Sequence, residues 1–297
     1  MTVGQIAPEQ GAKQNPRLFF AIAVGLLLGI IYIPLLWHWG QGWIFKTISL
    51  EHEYFSYGFI GFPYAAYAAW QSRKQWNDIS DQVGFFGFFF LSLACILYLS
   101  GVSDLVNLSF PMAIAGVVGC WKGRPGLRLM LAPLMFVLLA TPNELPYLIS
   151  PYTLGLQRFI ASTAGFVLNQ FDLNVVVQGI YLYVNDRTVE VAPHCAGLKM
   201  LITSLYVGLM MLHLRKRLQS PMHFGLLMGG AVVISVAMNI LRNTILTLFH
   251  GMRWDALFHF VHEGWGGDLY SAAMLLAIIW WMQGVERIVP LLTTENA

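Results

Sequence analysis

Three side chains in this sequence have types and surroundings suited to covalent chemistry: the thiol of Cys195, the guanidinium of Arg242 and the imidazole of His262. Cys195 stands in "EVAPHCAGLKM", after a polar, strand-like segment and just before an apolar run of membrane length. Cys95 and Cys120 fall in or beside apolar runs, where a small, buried packing residue is the ordinary reading. Pro193 suits the first turn of a helix. Cys195 is therefore expected in an opening turn, where unpaired N–H groups and the helix dipole favour an anion. Lys199, four residues on, shares that face. A free thiol titrates near ~8.5 and is only a few per cent thiolate at neutral pH. Making the thiolate dominant requires ~2.7 kcal/mol. A helix terminus provides up to ~2 kcal/mol, leaving the remainder to nearby cations. Without such cations, Cys195 reads as a thiol packed under the headgroups.

Arg242, in "NILRNTIL", lies about 12 Å of helix before His250 and so begins well below the outer surface. An arginine at the centre of a span costs ~2.5–3.5 kcal/mol on insertion scales, and membrane arginines usually face protein. Asn239 shares its face and Asn243 follows it. The structural alternative is an ion pair with Asp268 or Glu144. His262, in "FHFVHEGWGG", immediately precedes the last apolar run. His259 lies three residues before it and Glu263 is adjacent, but no H-E-x-x-H is present, and a metal centre is disfavoured. Beside a cysteine, an imidazole serves as general acid or base or as partner of the thiolate. The chemistry these three could do is attack of sulfur on a peptide carbonyl. His262 would manage the proton of the leaving amine. Arg242 would stabilise charge on the oxygen or the thiolate, where a donor is worth ~2.7–4 kcal/mol. His194, next to the cysteine, is a rival imidazole.

The elements that must position these groups are membrane helices. The chain is 57% hydrophobic and 11% charged over 297 residues, whereas soluble domains carry about 25% charged residues. A net charge of +2 gives no electrostatic case for a nucleic-acid partner. Apolar runs of spanning length are expected at Leu18–Trp37, Tyr54–Trp70, Val83–Leu99, Leu105–Trp121, Leu127–Ala140, Ala196–Leu214, Phe224–Phe249 and Trp265–Val285. The first is followed by "HWGQGW" rather than a cleavage site, so it is retained as a span. With a cytoplasmic N-terminus, the inner turns carry Lys13, Arg17, Arg73, Lys74, Lys122, Arg124, Arg128, Arg215, Lys216, Arg217 and Arg287. Those are eleven of the seventeen Lys and Arg residues, and the charge rule for cytoplasmic loops is satisfied with both termini inside. Cys195, Arg242 and His262 then sit near the outer ends of the last three spans.

Between residues 141 and 193 the pattern changes. "LQRFIASTAGFVLNQF" has a helical apolar stripe of Leu156, Phe159, Ile160, Phe166, Val167 and Phe171, interrupted by Gln157, Arg158, Ser162 and Asn169. It is expected to lie along the outer membrane surface, since crossing alone would invert every later loop. "VVVQGIYLYVNDRTVEV" is β-branched and aromatic, with Asn185-Asp186 as a turn, and predicts a small hairpin outside the lipid. The expected fold is an all-α polytopic membrane protein of about eight transmembrane helices, with a surface amphipathic helix and a small extracytoplasmic β-hairpin. Residues 1–297 form one domain: five spans over 18–140, an extracytoplasmic segment over 141–193, and three spans over 194–285 that carry the chemistry.

The order Cys195-Ala196-Gly197-Leu198, Asn239-x-x-Arg242 and His262-Glu263-Gly264-Trp265 resembles the exosortase/archaeosortase family. "YFSYGF" and "LAPLMFVLLATPNELP" also look similar. The resemblance implies a cysteine protease or transpeptidase of the cytoplasmic (inner) membrane, acting on its outer face without a cofactor. It further implies substrates that are membrane-tethered proteins with a C-terminal sorting signal of the PEP-CTERM kind: a short motif, a hydrophobic helix and a basic tail. The family's catalytic Cys, Arg and His map to Cys195, Arg242 and His262. Ala196 stands where the family usually has serine, and "EHEYFSYG" has Glu53 and Ser56-Tyr57 where an Asp and a His often precede the glycine. These departures suggest a divergent subgroup, with a cyanobacterial one as the expectation.

Two other classes remain open from the residues alone. One is a transporter with Arg242, Glu53, Asp104 and Lys199 along a path, although no paired repeat or broken helix supports it. The other is an envelope-assembly scaffold with a packed Cys195. A small charged thiol reagent applied to intact cells separates these: the nucleophile requires Cys195 to be labelled, and resistance from both sides of the membrane argues for packing.

Overall fold

A computed structural model describes residues 16–45, 54–192, 197–262 and 264–294. The expected apolar runs fall largely on helices, but Leu127–Ala140 straddles the end of one helix at Leu129 and the whole of the next, and Ala196 lies outside the described residues. The long helices are α1 (Pro16–Phe45), α2 (Gly58–Gln71), α4 (Phe85–Leu99), α5 (Ser103–Leu129), α6 (Leu131–Ala140), α9 (Leu198–Leu214), α10 (Pro221–Gly251) and α12 (Trp265–Thr294). Short helices α3 (Arg73–Asp78), α7 (Leu145–Ile149) and α11 (Asp255–His262) join them, and α8 (Leu154–Asn169) precedes a sheet. Among the described residues, four helices are long and apolar enough to cross a membrane: α1 over Ala23–Ile44, α5, α10, and α12 over Trp265–Val289. Helices α4, α6 and α9 are apolar but shorter, and α2 has 14 residues. The chain is thus a largely helical, multi-spanning membrane protein.

The sheet has three antiparallel strands rather than the two of a simple hairpin: β1 (Val176–Gln178), β2 (Tyr181–Val184) and β3 (Arg187–Glu190). The expected turn is present between β2 and β3. Asn185 and Asp186 both have positive φ, 46° and 62°, the conformation of a two-residue hairpin turn. The extra strand arises because the chain also reverses at Gly179-Ile180, pairing Val177 with Leu182. Helix α8 covers this sheet and contacts α10. Its buried face is Gln157, Ile160, Ala161, Ala164, Gly165 and Leu168. Phe159, Phe166 and Phe171 point outward, so the apolar residues of the sequence stripe do not form one face. Small residues occupy the inner side because the sheet approaches closely: a Cβ on Gly165 would collide with Val177.

Two cores pack the helices around α9, and a third, with Tyr32, Ala94 and Ala113, joins α1, α4 and α5. Tyr206 of α9 packs with Tyr57, Phe136 and Val137, and its hydroxyl donates to the Phe136 carbonyl at 3.1 Å. Leu212, Leu227, Ala231, Met274, Ile278 and Met282 fill the space between α9, α10 and α12. Arg215 meets Glu286 at 3.4 Å, which brings the end of α9 level with the last turns of α12. At the other side of the bundle, α5 kinks at Gly123 (φ 62°), a backbone conformation suited to glycine. Beside the kink, buried Lys122 pairs with Asp81 at 2.7 Å.

Helices α4 and α5 approach through Gly87, Gly116 and Gly119, the small-residue contact that lets membrane helices pack by van der Waals attraction. A Cβ on Gly87 would overlap the backbone of Gly119 and Cys120, which cannot swing away as a side chain can. Gly87→Ala is therefore expected to destabilise the chain by about 1–3 kcal/mol, read from unfolding in detergent micelles. Gly25→Ala, with no atom within 4 Å of the new methyl, is expected to leave stability unchanged or slightly raised.

Candidate active site

Helix α10 is the backbone of the candidate site. Its 31 residues make it about 46 Å long, well beyond the ~30 Å of a hydrocarbon core. Pro221 starts it, with Ser220 and the His223 ring joined by a 2.8 Å hydrogen bond. Along one stripe it buries Ser235, Asn239, Asn243 and Thr247, spaced four residues apart and each no more than 2% exposed. Arg242 and His250 flank that stripe.

Arg242 reaches the junction between α11 and α12. Its Nη2 lies 3.5 Å from the His262 carbonyl oxygen, and a Cβ on Gly267 would stand 3.9 Å from the same nitrogen. Its Nε is buried and meets no acceptor among the described residues. Arg242 forms none of the ion pairs seen among those residues, so the expected structural alternative, a salt bridge to Asp268 or Glu144, is not what holds it.

His262 closes α11. Its ring stacks on Phe258, with centroids 5.1 Å apart and planes at 10°, and its Nδ1 is shielded from solvent. The Phe258 ring also meets that of His250, with centroids 5.0 Å apart and planes at 45°. Both imidazoles line a cavity of about 200 Å³ between β3, α10 and α11, together with Thr188, Glu190 and Asn243. His250 and Glu190 were not singled out by the sequence, since a histidine at the end of a span and an acid in a short strand carry no spacing signal of their own.

Cys195 lies outside the described residues, as do Pro193, His194, Ala196, Glu53 and Glu263. The chain on either side of the cysteine is described. Val191 is fully buried, and its N–H donates to Ile180 at 2.9 Å, anchoring the exit from β3. Gly197, two residues after Cys195, has φ 77° and ψ 15° and begins α9. It lies against α10: a Cβ there would stand 2.6 Å from the side-chain carbon of Asn239. An L-residue is thus disfavoured twice, by the left-handed backbone and by lack of room. Lys199 lines a second cavity, of about 210 Å³, with Ser56, Thr203, Asp268 and Ser271. The arrangement gathers Arg242, the His262 segment and the Gly197 turn around one stretch of α10.

The sheet is fastened to the end of α10. Asn185 Nδ2 donates to the Gly251 carbonyl at 3.2 Å, and Arg187 Nη1 donates to that of His250 at 3.2 Å. Arg187 also bridges Asp255, the first residue of α11, at 2.5 Å. One guanidinium thus ties β3, α10 and the helix bearing His262. The hydrogen bond from Arg187 holds the Asp255 carboxyl below its ordinary 3.8, and the same bond raises the guanidinium. A carboxyl whose folded value is depressed contributes stability that is fully present above 3.8 and lost only as pH falls through the lowered value. Protection of the amides of residues 181–190, the ratio of intrinsic to observed exchange rate, is accordingly expected to hold from neutral pH down to about 4 and to fall only below. Asp255→Asn is expected to lower it already at neutral pH.

Over residues 43–279 the sequence matches the family described as transmembrane exosortase (Exosortase_EpsH). No curated protein and no solved structure matches the chain.

Proposed function

Because the chain belongs to the transmembrane exosortase family, we propose that it is a membrane-embedded cysteine protease or transpeptidase acting on proteins with a C-terminal PEP-CTERM-like sorting signal. Cys195 is the nucleophile, His262 the general acid and base, and Arg242 the cation that stabilises the thiolate and the developing oxyanion. The observation that carries this is the convergence on α10. Arg242 Nη2 sits 3.5 Å from the His262 backbone, and Gly197, two residues from Cys195, abuts Asn239 one turn before Arg242. Covalent reach holds any residue two positions from Gly197 within ~7 Å of it. No polar side chain so deep in an apolar helix comes without cost.

In the reaction, the Cys195 sulfur attacks the scissile carbonyl carbon and forms a C–S bond. The C–N bond then breaks as His262 delivers a proton to the departing amine. Water or an amine attacks the thioester, His262 takes up a proton, and the sulfur leaves as thiolate. Either acceptor restores the starting enzyme, so hydrolysis and transfer differ only in the second nucleophile.

The chain crosses the cytoplasmic membrane eight times with both termini inside, and the site opens on the outer face. Support comes from the eleven cations at one set of helix ends and from a sheet whose edges belong in water or against protein. Helix α8, with Phe159 and Phe166 outward, lies along the outer surface. Membership of a divergent subgroup rests on Ala196 and Glu53 alone.

Co-expression with a tailed substrate tests the assignment. Cleavage is expected to be lost in Cys195→Ala, and to fall by about 10²–10³-fold or more in Arg242→Ala and His262→Ala, while His194→Ala keeps it. Unchanged processing in the first three variants overturns the mechanism.

A further inference from the structure

Asn239 is 1% exposed, in the interior of a helix that is otherwise largely apolar. Its carboxamide is not a passive packing group, because its two ends have different partners. Asn243 Nδ2 donates to the Asn239 backbone carbonyl at 2.9 Å and to its Oδ1 at 3.4 Å. A donor on that side fixes the oxygen towards Asn243. The amide nitrogen must then face the opposite way, and there it meets the Gly197 turn: a Cβ on Gly197 would lie 2.7 Å from Nδ2. Among the described residues this nitrogen has no acceptor. A buried N–H₂ without a partner costs about 1–3 kcal/mol, a penalty that the neighbouring bond from Asn243 enforces rather than relieves.

The long and the short donor on this face divide the work. Arg242 extends to the α11–α12 junction and meets the His262 backbone. Asn239, three residues earlier on the same face, has a short side chain and stays beside the turn two residues from Cys195. A neutral, rigid donor beside the turn that leads from the nucleophile suits what a tetrahedral intermediate requires. It adds a hydrogen bond when the oxygen becomes negative, and it leaves the thiolate's charge balance to the guanidinium.

We propose that Asn239 is a further catalytic residue: its Nδ2 donates to the carbonyl oxygen of the bound peptide as Cys195 attacks. The proposal rests on the transpeptidase reading above. It explains both the orientation of the amide and the absence of a side chain at Gly197, where any Cβ would push the amide away.

The test uses the full-length chain in membranes with a tailed reporter that the wild type processes. Asn239→Leu keeps the size and the neutrality of the side chain and removes the donor, while Asn243 keeps its 2.9 Å bond to the backbone carbonyl of residue 239. It is expected to lower the rate of acyl-enzyme formation by about 10²–10³-fold. KM is expected to stay within about threefold, and the alkylation rate of Cys195 by a charged reagent to stay within about threefold, since no charge is added beside the thiolate. A rate within about threefold of wild type overturns the proposal. So does an equal fall in alkylation, which marks a structural role in holding the turn. Should Asn239→Leu fail to accumulate, Asn243→Leu frees the amide to turn. It is expected to slow acylation by about 2–10-fold at unchanged alkylation, and no change there counts equally against the donor. Cys195→Ala run alongside separates the two ideas: processing that survives it removes the nucleophile itself, whereas loss there with a normal Asn239→Leu removes only the donor.

Discussion

A row of polar side chains on a membrane-length helix must be covered by protein, and that constraint organises the whole carboxy-terminal half of this chain. Ser235, Asn239, Asn243 and Thr247 recur every fourth residue on α10, with Arg242 and His250 beside them. Each such group facing hydrocarbon without a partner would cost several kcal/mol. The elements packed on α10 are those that close this stripe: α9 and α12 along the helix, α8 and the sheet higher up, and α11 over the end. Their own apolar faces do the rest, through the cluster of Leu227, Ala231, Met274 and Ile278.

Cover alone does not fix geometry, and the polar contacts supply what packing leaves loose. The sheet is small and would slide on α10 if only Leu182 and Val184 held it. Asn185 and Arg187 lock it by donating to the carbonyls of Gly251 and His250 at the end of the helix, the second of which also accepts the Arg253 N–H. Asp255 extends that lock into α11, whose eight residues bury none of their own. A helix so short and so exposed has little stability by itself. Its orientation, and with it the direction of the His262 ring, is inherited from Arg187 and from the stack on Phe258. The strand pair is thus a strut for the imidazole as much as a wall of the cavity.

Much of this was legible in the sequence because hydropathy is a local quantity. The apolar runs, the break at "ATPNELP", and the Asn185-Asp186 turn depend on neighbours in the chain, and the structure has a helix or a turn at each. The convergence of Arg242 with the His262 segment followed from counting helix ends. What could not be read depends on register between distant segments. Nothing in the types of Arg187 and Asp255, 68 residues apart, marks them as partners. The third strand was hidden because "VVVQG" reads equally as loop or strand until Val177 finds Leu182. The stripe on α8 mixed two faces: Ala161, Ala164 and Gly165 are on the inner face, and small residues carry no hydropathy signal strong enough to outvote phenylalanines.

The depth of Asn239 gives the proposed chemistry its geometric logic. From Pro221 to Asn239 is 18 residues, or about 27 Å of helix, close to the ~30 Å thickness of a hydrocarbon core. The remaining turns of α10, with the sheet clamped to them, extend about 18 Å further. Under the proposed function, a substrate anchored by its own spanning helix would end its apolar stretch near the same height. The peptide just before that helix would then reach the Gly197 turn without any part of the anchor having to unwind or leave the lipid. A nucleophile at the tip of α10 would need the chain to climb, and one at the midplane would need a helix broken inside the bilayer, with backbone groups unpaired in lipid. A reactive turn a dozen residues below the tip of α10 would avoid both costs, and on that reading the bilayer itself would measure the distance between anchor and cleavage point.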